Sequence, residues 1–263
     1  MPELPEVQTV IDCLHPHLVG KELEYIEAVR TSAVEDLRQD ARGLGRITAI
    51  QRRGKYIVIY TAAEVVIVHL RMTGKLLWQV PPERQKYVRA VFHFADGSAL
   101  YFDDVRNFGT IRILPQQEVK ELDARLGIEP LEKSFDGAYL KNILSKRSRP
   151  IKNILLDQHL IAGLGNIYAC EALFRAGILP TRAGNSITAR EASRLADAIR
   201  TILQSAIQAG GTTVADYRSS NGKDGAYQHQ LIVYKQTHCI CGAPITRIKQ
   251  AGRSTFYCTK CQK

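Results

Sequence analysis

The sequence predicts a multidomain α+β protein: a β-rich first half, a helical second half and a metal-bound hairpin at the end. Three observations carry this. Short apolar, β-branched runs recur at close spacing between residues 21 and 113. Longer patterns of helical period begin near Tyr139. Four of the six cysteines fall in the last 25 residues. With 263 residues, the chain can hold two domains or one large one, with apolar content for real cores.

The first element is a helix. Val7, Val10, Ile11 and Leu14 fall at i, i+3, i+4 and i+7. Pro5 stands where that helix is expected to begin, since a missing N–H costs nothing there. Leu4, before a proline, is expected to be extended. The terminus Met1-Pro2-Glu3-Leu4-Pro5-Glu6 is therefore stiff and tied to a body. If Met1 is removed, Pro2 presents a secondary amine. An α-amino group with a pKa near about 8 is partly uncharged at neutral pH, and so nucleophilic. Glu3 beside it could move protons. Alternatively, the two carboxylates simply favour the helix dipole.

Two hairpins follow. Tyr56–Tyr60 and Val65–Leu70 flank Thr61-Ala62-Ala63-Glu64. Val88–Phe94 and Ala99–Phe102 flank Ala95-Asp96-Gly97-Ser98, with Asp-Gly in the turn. Such strands suggest a sandwich or a barrel rather than a parallel sheet. Between them lie Arg52-Arg53-Gly54-Lys55, His69-Leu70-Arg71-Met72-Thr73-Gly74 and Asp103-Asp104-Val105-Arg106-Asn107-Phe108-Gly109. Each joins basic side chains to a glycine, and the last two add a bulky apolar one. Loops of this kind are solvated edges or, alternatively, wedges that enter a base step.

A change to Pro, Gly and mixed charge over 115–134 marks a domain boundary. Helices then read around Tyr139–Leu144, Ile151–Leu156 and Ile167–Phe174, with Asn166 expected to cap the last after the turn Ala162-Gly163-Leu164-Gly165. A glycine turn feeding a helix suits a phosphate, although Gly-x-Gly alone is a weak signal. Thr188 and Glu191 make a capping box for a long helix that Gly210-Gly211 stops. The polar, Gly-rich stretch 212–227 is too long for a simple connection and reads as a functional loop.

The tail reads as a zinc ribbon. Cys258-x2-Cys261 has the common ligand spacing, and Cys239, Cys241 supply a second pair around a two-stranded hairpin. The first pair is one residue short, so His238-x2-Cys241 competes with Cys239 as the fourth ligand. Cys13 and Cys170 sit in helical patterns as small buried hydrophobes.

Lys plus Arg number 36 against 26 Asp plus Glu, a net charge of +10. This points to a polyanionic partner, nucleic acid before membrane. There is no apolar run long enough to span a bilayer and no export leader, so a cytoplasmic protein is expected. Clustered cysteines in such a chain imply metal rather than disulfides.

Taken together, these motifs resemble those of bacterial formamidopyrimidine-DNA glycosylases, of the formamidopyrimidine-DNA glycosylase/endonuclease VIII family. The marks are Pro2-Glu3-Leu4-Pro5-Glu6-Val7, Arg53-Gly54-Lys55-Tyr56, His69-Leu70-Arg71-Met72, Arg106-Asn107-Phe108-Gly109, Gly165-Asn166-Ile167-Tyr168 and Ala251-Gly252-Arg253. The resemblance implies an N-terminal antiparallel β-sandwich with its helix (residues 1–131), a helix–two-turn–helix domain with a lesion-capping loop (132–229) and a zinc-ribbon hairpin (230–263). DNA would lie in the cleft between.

It further implies a monomeric glycosylase and AP lyase that removes oxidised purines from duplex DNA. Pro2 would attack C1′, Glu3 would handle the proton, and Lys55 would contact a phosphate and assist. Arg253 and Asn166 would grip the phosphates flanking the lesion. His69 would join the DNA-binding surface, and Met72, Arg106 and Phe108 would fill the gap left by the everted base. One structural Zn2+ would be held by Cys239, Cys241, Cys258 and Cys261. Gln8, Asn107 and the shortened approach to the zinc ribbon depart from the family pattern, and the last puts the placement of Arg253 in question. Two rivals are an endonuclease VIII-like enzyme for oxidised pyrimidines and an inactive zinc-ribbon DNA-binding protein. Leu4, the intact Met72/Arg106/Phe108 trio and the long 212–227 loop oppose the first, and intact Pro2, Glu3 and Lys55 the second.

Overall fold

The computed structural model describes residues 1–38, 43–212 and 225–263. These form two compact units, one of residues 1–124 with 209–226 and one of 125–208 with 227–263. The short stretch 209–226 thus counts with the β-rich unit, whereas the sequence groups it with the helical segment.

The first unit opens with α1 (Leu4–Leu18). Its stripe Val7, Val10, Ile11 and Leu14 is buried as the period requires. The helix starts at Leu4, one residue before the expected Pro5, because Glu3 is the N-cap and Pro5 fits in the first turn. Leu4 is consequently helical rather than extended.

Nine strands follow: β1 (Glu22–Ala28), β2 (Val34–Asp36), β3 (Gly45–Arg53), β4 (Tyr56–Thr61), β5 (Glu64–His69), β6 (Lys75–Leu77), β7 (Val88–Phe94), β8 (Ala99–Asp103) and β9 (Thr110–Pro115). They hydrogen-bond in the order β2-β9-β5-β4-β3-β1-β7-β8-β6. All pairs are antiparallel except β2 with β9. The β1–β3 contact is short, Glu22 opposite Arg46 and Leu23 opposite Gly45. It joins two half-sheets whose inner faces, with α1, share one core: Ile57, Ile59, Val66 and Val68 from one half, Ala90, Phe92, Leu100 and Phe102 from the other. This is a β-sandwich. Both expected hairpins form, one through Ala62-Ala63 and one through residues 95–98 with Gly97 at φ +79°.

Strand β5 is buried on both faces. Its outward Val65 and Ile67 join Val58 and Leu114 under Val119 and Leu122 of α2 (Val119–Arg125).

The second unit holds α3 (Gly137–Ser145), α4 (Ile151–Leu155), α5 (Asn166–Arg175) and α6 (Ala189–Gln208). The capping box of α6 is made: Thr188 N–H donates to the Glu191 carboxylate at 2.8 Å, and Glu191 N–H donates to Thr188 Oγ1 at 3.2 Å. Asn166 is not the cap of α5. Gly165 takes that position, which leaves the Asn166 side chain for other partners. The chain ends in the hairpin β10 (Thr246–Gln250) and β11 (Arg253–Tyr257), turned by Ala251 and Gly252, both at positive φ. Of the two lone cysteines, Cys170 is buried and Cys13 only half-buried, since it lies at the edge of the α1 stripe. Among the described residues, no helix is long and apolar enough to cross a membrane.

Candidate active site and nucleic-acid interface

In the β-rich unit, Pro2, Glu3 and Glu6 are all buried, while Met1 is exposed. One Glu6 carboxylate oxygen accepts the Glu3 N–H at 2.8 Å; the other accepts the N–H of Thr212, also at 2.8 Å. Glu6 is thus the strut of the terminus, a role its place in the sequence conceals because Thr212 is 206 residues away. Gly211 lies against it at φ +81°: a Cβ there would stand 3.1 Å from Glu6 Cγ. Gly210-Gly211 therefore does more than stop α6. Ala226 N–H donates to Ala209 carbonyl at 2.9 Å, closing the base of the loop. The expected lesion-capping loop, 212–227, lies mostly outside the described residues.

Lys55 follows Gly54, which has φ +58°, in the two-residue turn from β3 to β4. It is buried, at 5% exposure. His69, at the end of β5, is buried too and stacks edge-on with Tyr56 at 4.5 Å. Burial pushes its pKa down to about 3, helped by the positive charges of Arg71 and Lys55. Arg71 N–H donates to His69 Nδ1 at 2.9 Å, so the neutral ring carries its proton on Nε2. His69 therefore offers a neutral donor, not a cation.

That burial has a pH consequence. The unfolded chain takes up a proton on this histidine below pH ~6.5, the folded one only near pH ~3, so stability present at neutral pH is lost as the pH falls through this window. His69→Gln is expected to flatten the stability–pH curve between those limits by up to about 1.4 kcal/mol per pH unit. Urea midpoints measured across the window check this, and an unchanged slope would refute it.

Met72, Arg106 and Phe108 are exposed, Met72 at 40% and Phe108 at 55%. The Arg106 guanidinium lies over the Phe108 ring, 5.1 Å from its centroid. Asn107 between them has φ +57°, a conformation asparagine tolerates better than most residues. Gln8 accepts from Arg52 Nε at 3.0 Å and donates to Asp12 at 2.8 Å, on the helix surface.

In the second unit Asn166 donates from Nδ2 to the Ser254 carbonyl at 2.9 Å. Lys152, fully buried, donates to Asn166 Oδ1 at 2.6 Å, Thr255 Oγ1 at 2.7 Å and Ser254 carbonyl at 3.2 Å. Arg253, exposed at the start of β11, is next to that anchor. The shortened approach to the ribbon has not detached the hairpin tip from α5. The approach itself is gripped by Glu171, whose carboxylate accepts the N–H groups of Ile232, Val233 and Tyr234 at 2.8 to 2.9 Å. Lys152 and Glu171 escape a sequence reading as functional supports. The signal was present, though: each is a charge set among the apolar positions of a helical pattern.

The Sγ atoms of Cys239, Cys241, Cys258 and Cys261 lie within 4.8 Å of one another. Cys239 and Cys261 are 3.8 Å apart, Cys241 and Cys258 3.6 Å. A tetrahedral zinc with bonds near ~2.3 Å needs sulfurs about 3.8 Å apart, so the set fits Zn2+. The choice of fourth ligand falls to Cys239. His238 is exposed, with Nδ1 beside Thr237 Oγ1 at 3.2 Å. Four thiolates leave no open position, so the metal is structural.

A buried Pro2-Glu3 segment braced by Glu6, the exposed side chains of Met72, Arg106 and Phe108 on basic loops, and a four-cysteine hairpin define a zinc-ribbon protein of nucleic-acid-binding type. The chain matches the formamidopyrimidine-DNA glycosylase N-terminal domain over residues 1–111, the H2TH domain of the same enzymes over 126–218, and the zinc finger found in FPG and IleRS over 240–263. It is 42% identical to the formamidopyrimidine-DNA glycosylase of Desulforamulus reducens, across 100% of this chain and 99% of that one. Against that of Streptococcus pneumoniae the identity is 40%, with the same coverage. The crystal structure of the MutM (Fpg) protein from Thermus thermophilus superposes with a TM-score of 0.89 at 37% identity, covering 99% of this chain and 98% of that one. The Lactococcus lactis Fpg bound to DNA containing N7-benzyl-Fapy-dG gives 0.88 at 38% identity, with both chains fully covered. The chain belongs to the formamidopyrimidine-DNA glycosylase family.

Proposed function

We propose that this protein removes formamidopyrimidines and 8-oxoguanine from duplex DNA and then cuts the strand as an AP lyase, with Pro2 as nucleophile. The observation that carries the reading is the buried, strutted Pro2-Glu3 terminus of a full-length family member. Freed of Met1, the Pro2 nitrogen bonds to C1′ as the glycosidic bond breaks and the base leaves with a proton. Glu3 supplies a proton to the ring oxygen, which opens the sugar to an iminium. Loss of a C2′ proton expels the 3′ phosphate, and a further proton loss expels the 5′ phosphate. Hydrolysis returns the amine.

Lys55 and His69 serve the phosphate beside the lesion, Lys55 as charge and His69 as a neutral donor. Met72, Arg106 and Phe108 fill the space the base vacates, with Arg106 facing the orphaned cytosine. Asn166 and Arg253 hold the flanking phosphates, and the bound zinc keeps the Arg253 hairpin in shape. Eversion costs roughly a few kcal/mol, which wedge and phosphate contacts together can offset. The work divides among three segments, 1–131, 132–229 and 230–263. The protein acts as a monomer in the bacterial cytoplasm, where the chromosome lies.

The test compares single-turnover excision of 8-oxoguanine opposite cytosine with excision of thymine glycol. A preference for the purine lesion of about tenfold or more is expected, since a pocket shaped for one base rejects another through unpaired polar groups. Preference for the pyrimidine would move the protein to the endonuclease VIII-like reading.

A further inference from the structure

The wedge residues come from two loops about thirty residues apart in sequence, and a single buried carboxylate ties those loops together. Asp104 is 0% exposed. Its Oδ1 accepts from Thr73 Oγ1 at 2.5 Å and from Arg106 N–H at 3.2 Å. Its Oδ2 accepts from Phe108 N–H at 2.8 Å and Gly109 N–H at 2.7 Å. Thr73 Oγ1 also accepts from Arg106 N–H, at 3.1 Å. Asp104 is itself held from behind: its N–H donates to Tyr87 carbonyl at 2.9 Å, and Arg89 Nε donates to its carbonyl at 2.8 Å.

The fit is tight on both loops. A Cβ on Gly109 would come within 2.4 Å of the Phe102 ring and 3.2 Å of Asp104 Oδ2. On Gly74 it would strike the Leu70 carbonyl oxygen at 2.6 Å. Neither glycine position admits a side chain, and the backbone N–H groups of both outward-facing residues, Arg106 and Phe108, end on the same side chain. Thr73, neighbour of Met72, ends there too. A carboxylate that collects four donors is hard to replace, because an amide in its place turns one acceptor into a donor facing N–H groups.

We infer that Asp104 is a positioning residue for base recognition, fixing Met72, Arg106 and Phe108 as one rigid wedge that reads the base opposite the lesion. The inference rests on the proposed function, since it gives that wedge its task. It assigns Asp104 no contact with the reacting atoms. Its loss should therefore weaken steps that need a filled gap in a duplex and spare chemistry at a sugar already exposed.

The experiment uses the full-length, zinc-loaded protein and the substitutions Asp104→Asn, Thr73→Val and Thr73→Ser. Three rates are measured: 8-oxoguanine excision opposite cytosine, excision opposite adenine, and cleavage of a preformed abasic site in single-stranded DNA. For Asp104→Asn, excision opposite cytosine is expected to fall about tenfold or more, as buried hydrogen bonds to a charge are lost. Discrimination between cytosine and adenine should shrink, and single-strand cleavage should stay within about twofold. Thr73→Val should move the same way by less, and Thr73→Ser, which keeps the hydroxyl, should restore both. If Asp104→Asn does not fold, the Thr73 pair decides alone. Parallel loss of all three rates, or unchanged discrimination with Thr73→Val, overturns the inference. A native protein that excises no oxidised purine at all, by contrast, overturns the functional reading on which it stands.

Discussion

Replacing Pro2 with glycine, or blocking removal of Met1, is expected to abolish the protein–DNA adduct that borohydride traps during turnover and to slow nicking at 8-oxoguanine roughly a thousandfold or more. With Met1 attached, the Pro2 nitrogen is a tertiary amide with no lone pair to give. With glycine, the terminus loses the ring that fixes its direction as it enters α1. The effect should be confined to chemistry. Glu6 would still brace Glu3 against Thr212 through backbone N–H groups. Lesion binding is therefore expected to survive within a few-fold. Intact mass together with the trapping assay decides the matter: full-speed nicking by protein that retains Met1 would remove Pro2 from the mechanism.

Stripping the zinc is expected to weaken duplex binding about a hundredfold while leaving the β-rich unit folded. A structural zinc contributes on the order of 10 kcal/mol to a small ribbon, more than its few buried side chains could replace. Here that local core is Cys170, Phe174, Val233, Cys239, Ala243 and Cys258, so two of its six members are metal ligands. Loss of metal should free β10–β11 and with it Arg253. Hydrogen exchange will show how far the damage runs. Glu171 holds the N–H groups of residues 232–234 from α5 and should keep them protected. Amides of residues 246–257 should exchange freely despite the anchor that Lys152 provides. Unchanged affinity after complete metal removal would show that the hairpin tip does not bear on DNA.

How far the chain could be read from residue order follows from the range of the interactions involved. Local signals were sound. The α1 stripe, the two hairpins, the Thr188–Glu191 box and the cysteine cluster each depend on neighbours within a few turns or one hairpin, and each is found as expected. The structure departs from the local preference where a tertiary partner displaces it. Asn166 is a good cap by type, but the Ser254 carbonyl and the Lys152 ammonium claim its side chain, and Gly165 caps instead. Spacing favours His238 and thiolate chemistry favours Cys239, and only the meeting of four sulfurs separates them.

Residue order alone determined the classes of side chain present: a Pro-Glu segment at residues 2–3, basic loops with apolar tips, a cysteine cluster and an excess of positive charge. These follow from side-chain type and short-range spacing, which folding does not alter. The tertiary structure alone decided which distant groups brace these segments. Glu6 reaches Thr212 across 206 residues, Asp104 gathers two loops, and Lys152 crosses about a hundred residues to the hairpin. A buried charge is stable only where distant donors or acceptors converge on it, and that convergence exists only once the chain has folded.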